Sequence, residues 1–304
     1  MTDANFAKQL ACSGLIVESG PFKFLIRSAI PAIAQNLACL YAGQSEFASK
    51  DVPSVFFDFV VSIDLPNGIR SLFHKQAQFY LDDRVIFNPF PLHHATAMLE
   101  WGMNWCISTQ IHTYLIIHAA VIERDGFAAV LPAPPGSGKS TLCAALVQEG
   151  WRLLSDELTL IDLSNGYAVP MPRPIGLKNQ SIQILANRYP QAVFGALSSD
   201  TLKGSVCHLK PPIESIAMQK VVCPIAWIVF PQYLADAETD LCDKPKGESF
   251  MALADNAFNY SHLGTVAFDI LKQVVDRAAC HGFTYSQLDE AIAVFNRLEA
   301  RDAI

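Results

Sequence analysis

The sequence has no apolar run long enough to cross a membrane and no closely spaced cysteine pair. Its longest apolar stretches lie within residues 114–122 and 221–230, and neither reaches the roughly 18–20 residues that span a bilayer. The 8 cysteines are scattered without a C-x-x-C pair, which argues against a disulfide framework and a zinc site. The first residues also lack the apolar core of a signal peptide. We therefore expect a cytoplasmic protein with reduced thiols and no membrane span.

Charged residues are also few, at 17% of the chain, and acidic ones exceed basic ones by 29 to 22. This net charge of −7 argues against nucleic acid as a main partner, because phosphate contacts need a basic surface. Half of the 304 residues are apolar, so burial can offset chain entropy and the chain is not disordered. The length allows one large or two ordinary domains.

The first part of the chain predicts a small α/β module over residues 1–110 whose role the sequence does not reveal. Apolar and polar residues alternate over Ser54–Leu65, which is typical of a half-buried strand, and Pro66-Asn67-Gly68 follows as a turn. A second strand pair is predicted over Gln78–Phe87, with its turn at Asp82-Asp83.

Residues 111–304 are predicted to form a second domain with short strands and a helix that ends at Gly150. Its strands are predicted at Tyr114–Val121, Phe127–Leu131, Trp151–Leu154, Leu158–Leu163 and Tyr167–Val169. Asn165-Gly166 is a strong hairpin signal, and it implies antiparallel strands where a doubly wound parallel sheet would need a crossover helix. We therefore predict a mixed sheet. Two helices follow, the first stopping at Gly282 and the second starting at Ser286.

The segment Ala133–Ser140 fits a phosphate loop that lacks its usual first glycine. In such a loop, backbone amides at a helix N-terminus bind phosphate, the lysine neutralises β- and γ-phosphate charge, and the hydroxyl holds Mg²⁺. Pro135 has no N–H, so we expect the amides of the following residues to bind the nucleotide. These candidates are Gly136, Ser137, Gly138, Lys139, Ser140 and Thr141. The alternative is a glycine-rich turn with an incidental lysine, but its position between a predicted strand and helix favours the phosphate loop.

The residues around this loop resemble the HPr kinase/phosphorylase family. The similar segments are His118-Ala119-Ala120-Val121, the Gly-Lys-Ser loop, Gly150-Trp151-Arg152-Leu153-Leu154 and Ser155-Asp156-Glu157. Residues 100–105, 172–178 and 257–260 look like the branch called HPr-kinase-related kinase A. The resemblance implies an α/β phosphate-loop kinase domain of the HPr-kinase, PEP-carboxykinase-like type with a mixed sheet, preceded by the small N-terminal module.

The resemblance also implies roles for single residues. Lys139 would contact the β- and γ-phosphates, and Asp156 would face the acceptor hydroxyl and pair with His118. Ser140 would bind Mg²⁺, with Glu157, in place of the family's second aspartate, as a candidate metal ligand. Structural interpretations of two of these residues also stay open. His118 is then a core residue bonded to backbone, and Asp156 is a turn cap. Arg173, between two prolines, is either a phosphate ligand or an exposed structural arginine.

Together these features predict an ATP- and Mg²⁺-dependent kinase that transfers the γ-phosphoryl group to a Ser or Thr hydroxyl of a protein or peptide. In the HPr kinases the acceptor is a small phosphocarrier protein, and some related kinases modify ribosomally made peptides. The alternatives are a kinase of a small hydroxylated metabolite and a nucleotide-binding switch whose ATP hydrolysis leaves no covalent product. GTP and pyrophosphate stay open as donors, and a homo-oligomer stays open as the assembly.

Overall fold

The computed structural model describes residues 3–48, 56–66 and 75–298. The helices are α1 (Asp3–Cys12), α2 (Pro31–Leu40), α3 (Ala95–Gln110), α4 (Lys139–Gln148), α5 (Gln180–Arg188), α6 (Ile213–Ala217), α7 (Lys246–Asp255), α8 (Tyr260–Leu263), α9 (Thr265–Arg277) and α10 (Leu288–Phe295), with a short 3₁₀ helix at Leu92–His94. Within these ranges, no helix combines the length and apolar character needed to cross a bilayer.

The strands comprise two sets that follow each other along the chain. The first set is β1 (Leu15–Ser19), β2 (Phe22–Arg27), β3 (Ser45–Phe47), β4 (Phe59–Asp64), β5 (Gln76–Leu81), β6 (Arg84–Val85), β7 (Phe90–Pro91), β8 (Tyr114–Arg124) and β9 (Phe127–Pro132). The second set is β10 (Arg152–Ser155), β11 (Leu158–Asp162), β12 (Ala168–Val169), β13 (Ile175–Lys178), β14 (Ser198–Thr201), β15 (Gly204–Leu209), β16 (Ile225–Tyr233), β17 (Asp240–Asp243) and β18 (Ala279–Tyr285).

The described chain divides into two compact units. Unit 1 comprises the described residues up to Ile107 together with Gly176–Lys210, and unit 2 comprises Ser108–Ile175 and the described residues from Pro211 onwards. The predicted boundary near residue 110 lies close to the first of these divisions. However, the predicted second domain, 111–304, is interrupted by a segment that groups with unit 1.

Hydrogen bonds attach the segment Gly176–Lys210 to unit 1, although the segment lies far from the rest of that unit in the sequence. The Asn36 side-chain oxygen of α2 accepts a hydrogen bond from the Ala196 amide at 2.9 Å. The hydroxyls of Thr96 and Ser198 lie 3.1 Å apart, in a buried position. The two compact units therefore divide the described chain differently from the predicted domains 1–110 and 111–304.

Unit 1 contains a mixed sheet in the order β3-β1-β2-β4-β5-β6, with β7 also paired to β5. Strands β2 and β4 are parallel, whereas β4 and β5 are antiparallel. Phe59, Val61 and Ile63 of β4 are buried in alternation, as predicted. The predicted hairpin at Asp82-Asp83 is confirmed, because both aspartates have positive φ between the antiparallel β5 and β6. Residues 54–55 and the Asn67-Gly68 part of the predicted turn lie outside the described residues.

The α3 residues that look like the HPr-kinase-related branch pack the core of unit 1. The Tyr41 hydroxyl donates to the two carboxylate oxygens of buried Glu100, at 2.9 and 2.8 Å. A Cβ at Gly102 would collide with the Phe79 ring, so only glycine fits there. The packing of unit 1 therefore explains why Glu100 and Gly102 occupy these positions.

Unit 2 contains an eight-stranded sheet in the order β12-β11-β8-β9-β16-β18-β17, with β10 paired to β8. Strand β16 is parallel to β9 and β18, whereas β8 is antiparallel to β9, β10 and β11. The predicted mixed sheet is thus confirmed. The hairpin around Asn165-Gly166 is also confirmed, since β11 and β12 pair antiparallel.

One helix of unit 2 ends earlier than predicted. Helix α9 buries its apolar stripe, including Ile270, Leu271 and Val274, in the core against the sheet. It ends at Arg277 because Ala278 is extended, with φ −80° and ψ 145°. The predicted stop at Gly282 is wrong: Gly282 lies inside β18, opposite Phe230 of β16. The pairing of β18 with β16, and not the glycine, ends the helix.

Candidate nucleotide-binding site

The predicted phosphate loop lies between the end of β9 and the start of α4, as its motif requires. Gly136 and Gly138 have φ of 88° and 83°, a left-handed conformation that costs an L residue about 1–2 kcal/mol. Gly138 is also the N-cap of α4, and its carbonyl accepts the Leu142 amide at 3.0 Å. Glycine is therefore required at the turn into the helix.

Helix α4 begins directly after the phosphate loop, with Lys139, Ser140 and Thr141 as its first three residues. The N-terminus of a helix favours negative charge and is a common binding site for phosphate groups. Ser137 differs from the other predicted amides, because its N–H donates to the Pro134 carbonyl at 3.3 Å within the loop. Its side-chain hydroxyl is buried and has no hydrogen-bond partner among the described residues. A buried hydroxyl without a partner is costly, and a bound anion would supply one.

Two tyrosines that the sequence did not single out contact this loop. The Tyr233 amide, at the end of β16, donates to the Ser137 carbonyl at 2.8 Å. The Tyr285 hydroxyl, at the end of β18, donates to the Gly138 carbonyl at 3.1 Å. Burial raises the pKa of Tyr285, which keeps this hydroxyl protonated as a donor. The two tyrosines face each other across parallel strands, so only the β16–β18 pairing brings them together.

Lys139, the first residue of α4, and Asp156, which follows β10, are both buried. Their exposed fractions are 7% and 5%, and charged groups this buried require nearby opposite charge or hydrogen bonds. Both act electrostatically on the Cys143 thiol, one turn into α4. Burial raises the pKa of Cys143 well above its usual value, the Asp156 carboxylate adds to that rise, and Lys139 opposes it. The predicted phosphate-binding lysine and the predicted base therefore both lie within electrostatic range of the Cys143 thiol.

The strand pairing of β8 relates the position of the acidic pair, Asp156 and Glu157, to that of the phosphate loop. Ser155 of β10 lies opposite Val121, and Leu158 of β11 lies opposite His118. Asp156 and Glu157 therefore connect two strands that pair with successive parts of β8. On its other side, β8 pairs with the end of β9, since Ala119 lies opposite Pro132 just before the loop.

The turn at the acidic pair also has its own closing bond. The Ser155 side-chain oxygen accepts the Leu158 amide at 3.3 Å. A turn cap is therefore present beside Asp156.

Strand pairing places His118 opposite Leu158, two residues after Asp156 in the sequence. A second segment of the chain also contacts His118. Its amide donates to the Asn256 carbonyl at 2.8 Å, and its half-buried ring lies 6.0 Å from the Phe258 ring. Asn259 fixes this segment on β8, because its side chain accepts the Ile116 amide at 3.0 Å and donates to the Tyr114 carbonyl at 2.8 Å. The residues 257–260 that look like the HPr-kinase-related branch thus border His118.

Arg173 is buried, with 6% of its surface exposed. The exposed structural arginine that the sequence left open is therefore wrong. Its proline-rich loop is fixed beside the acidic pair, since the Met171 amide donates to the Leu154 carbonyl at 2.7 Å. Arg173 stays a candidate phosphate ligand.

Across the described ranges, no three His, Cys, Asp or Glu side chains form a metal-binding group. Mg²⁺ usually binds through one or two carboxylates, water and substrate phosphates, so it needs no such group. The half-buried Ser140 hydroxyl and Glu157 carboxylate are ligands of the type it prefers.

Comparisons with known proteins give little further support. A family model described as "SynChlorMet cassette protein ScmC" matches residues 95–176, which is less than half of the chain. No curated protein matches the sequence. Among solved structures, the Hpr(Ser) kinase/phosphatase from Coxiella burnetii is similar at 10% sequence identity, with 60% of this chain and 91% of that chain covered and a TM-score of 0.25. A likeness this weak carries no weight for function, and the HPr-kinase-related branch stays a prediction.

Proposed function

We propose that the protein is an ATP- and Mg²⁺-dependent kinase that transfers the γ-phosphoryl group to a Ser or Thr hydroxyl of a protein or peptide. The observation that carries this proposal is that a lysine and an aspartate, Lys139 and Asp156, are both buried and both within electrostatic range of one residue of α4. Both side chains are buried, and both act on Cys143 in the first turns of the helix that follows the phosphate loop. A cation for phosphate and a carboxylate for a hydroxyl are the two groups that phosphoryl transfer to an alcohol requires.

In this proposal each residue has one role. The α4 amides and Lys139 bind the β- and γ-phosphates. Ser140 and Glu157 would hold Mg²⁺, and the ion would supply positive charge beside the transferred group. The acceptor oxygen bonds to the γ-phosphorus while the bond from that phosphorus to the ADP oxygen breaks. The acceptor proton passes to the Asp156 carboxylate, and His118 orients that carboxylate.

The resemblance of residues 118–157 to the HPr kinases supports a protein or peptide acceptor. It rests on the strand before the loop, the Gly-Lys-Ser sequence and the acidic pair. The confirmed hairpin after the acidic pair agrees with that resemblance, because a parallel nucleotide-hydrolase sheet would have a crossover helix there.

The test is incubation of the full-length protein with γ-labelled ATP, Mg²⁺ and either host lysate or peptides encoded beside its gene. We expect label on Ser or Thr, dependent on Mg²⁺ and lost in the Lys139→Ala variant. Label on a small metabolite would show that the acceptor is a metabolite and not a protein or peptide. Slow phosphate release that needs Lys139 but gives no labelled product would establish the nucleotide-binding switch instead.

A further inference from the structure

Tyr233 is a large aromatic residue that stays half exposed although it touches the phosphate loop. Its side chain is 50% exposed, while its amide is bonded to the Ser137 carbonyl at 2.8 Å. Its Cβ lies 2.9 Å from the position that a Cβ on Gly138 would occupy. The ring therefore begins directly at the turn that precedes the anion-binding amides and extends towards solvent.

The surroundings hold this ring in place without covering it. The Tyr285 ring lies 5.8 Å away in an edge-to-face arrangement, a geometry that stabilises aromatic pairs. The next residue, Leu234, donates its amide to the Tyr285 carbonyl at 3.0 Å. A fixed and exposed aromatic surface next to a phosphate site matches the stacking surfaces that bind nucleic-acid bases.

We propose that the Tyr233 ring stacks against the base of the nucleotide whose phosphates bind the loop. This inference rests on the proposed function, because it needs a nucleotide at that loop. Phe258 has the same exposure, 50%, but its ring lies beside the His118 ring, at 6.0 Å. Tyr233, in contrast, is bonded to the phosphate loop itself. Since every base has a stacking face, the proposal predicts similar dependence on Tyr233 for ATP and GTP.

The test compares a nucleotide with its phosphate chain alone. Dissociation constants of Mg²⁺ complexes of ATP and tripolyphosphate are measured by calorimetry for the full-length wild type and for Tyr233→Leu and Tyr233→Phe. We expect Tyr233→Leu to weaken ATP binding by about tenfold, the scale of one lost base–aromatic stack. Tyr233→Phe keeps the ring and should bind ATP like the wild type, and none of the variants should change tripolyphosphate binding.

A spectroscopic readout supplies a second measurement that does not depend on tripolyphosphate. The fluorescence of 2-aminopurine riboside triphosphate should be quenched on binding to the wild type, as stacking requires, and recover in Tyr233→Leu. Phe268→Ala is a matched control, because Phe268 is 48% exposed and lies on α9. It should leave ATP affinity unchanged.

Two results would overturn the stacking proposal alone. The first is an equal loss of ATP and tripolyphosphate affinity in Tyr233→Leu, which would indicate a distorted loop. The second is wild-type ATP affinity in the same variant. The proposed function fails by a different result, namely a wild type that binds neither ligand or a Lys139→Ala variant that binds both normally. If the wild type binds neither ligand, the stacking proposal fails together with the proposed function.

Discussion

The Tyr285 hydroxyl and the Gly138 carbonyl form a hydrogen bond of 3.1 Å that connects the last residue of β18 to the N-cap of α4. The same carbonyl accepts the Leu142 amide at 3.0 Å, so it receives one bond from the helix and one from the sheet. This arrangement fixes the direction of the first helical turn, whose amides form the candidate anion site. If the loop binds a nucleotide as proposed, Tyr285 is a positioning residue for it.

Tyr285→Phe removes this bond and leaves the ring in place. A hydrogen bond contributes about 0.5–1.5 kcal/mol net, so we expect MgATP affinity to fall by about two- to tenfold. The variant should still fold, with a small decrease in Tm. Calorimetric titration and thermal unfolding without nucleotide measure the two effects separately.

Tyr167→Phe is the matched control, since Tyr167 lies in the β11–β12 turn region. It should change neither affinity nor Tm by as much. A Tyr285→Phe variant with lower Tm but wild-type affinity would show that the bond only stabilises the fold.

Gly138→Ala is expected to destabilise the protein more than the same change at another left-handed glycine. A Cβ at Gly138 would collide with the Tyr285 hydroxyl, whereas at Gly126 nothing lies within 4 Å. Their φ angles are 83° and 88°, so both substitutions have the backbone strain and only the first has the steric clash. Urea unfolding of both variants measures the difference, and equal free energies of unfolding would refute the explanation.

Local sequence patterns predicted much of unit 2 because its elements follow local rules. The hairpin around Asn165-Gly166 and the helix after the loop both depend on a few neighbouring residues. The end of α9 could not be predicted in this way. It depends on the pairing of β18 with β16, and Gly282 gave a misleading local signal.

The parts of the site that depend on distant pairing were not predictable from the sequence. Tyr233 and Tyr285 meet only because β16 and β18 are parallel neighbours, and neither lies in a motif. The grouping of Gly176–Lys210 with unit 1 likewise depends on tertiary hydrogen bonds, such as that from Ala196 to Asn36. The burial of Arg173 is a third case, since its charge and flanking prolines suggested an exposed loop as readily.

Stability should decrease at alkaline pH because of buried thiols, and Cys223 gives the clearest case. Burial raises the pKa of Cys223 from 9.0 to about 12, although Arg152 opposes the rise. Between these values the unfolded chain loses the thiol proton while the folded chain keeps it, so stability falls as pH rises. A full proton of difference corresponds to about 1.4 kcal/mol per pH unit.

Cys223→Ala should therefore make the free energy of unfolding less steep above pH 9. Urea unfolding under reducing conditions at several alkaline pH values measures this slope. Because the other buried thiols remain in both proteins, the difference in slope belongs to Cys223. Identical slopes would contradict the assignment of a raised pKa to this thiol.

Lys139→Ala should abolish tight MgATP binding and phosphoryl transfer together. The substitution removes the cation of the phosphate loop and leaves the glycines and amides of the turn intact. Calorimetry measures binding, and labelled transfer measures activity. Lys272→Ala, at an exposed i,i+4 pair with Asp276 on α9, is the control and should change neither. Normal ATP binding by Lys139→Ala would show that the loop is not the nucleotide site.

Asp156→Asn separates nucleotide binding from proton transfer. The amide keeps the size and most hydrogen bonding of the carboxylate but does not accept the proton, so we expect transfer to fall by about two to four orders of magnitude. MgATP affinity should change little, because the loop amides and Lys139 remain. His118→Ala should reduce transfer less, since it removes an orienting partner and retains the base.

The matched control for this change is Asp162→Asn at the other end of β11, where the carboxylate accepts the Ser164 amide at 2.7 Å. It should transfer label at the wild-type rate. Single-turnover transfer from γ-labelled ATP compares all variants on the same acceptor. Wild-type transfer by Asp156→Asn would exclude this carboxylate as the base, and a loss of MgATP affinity equal to the loss of transfer would show that it acts in nucleotide binding instead.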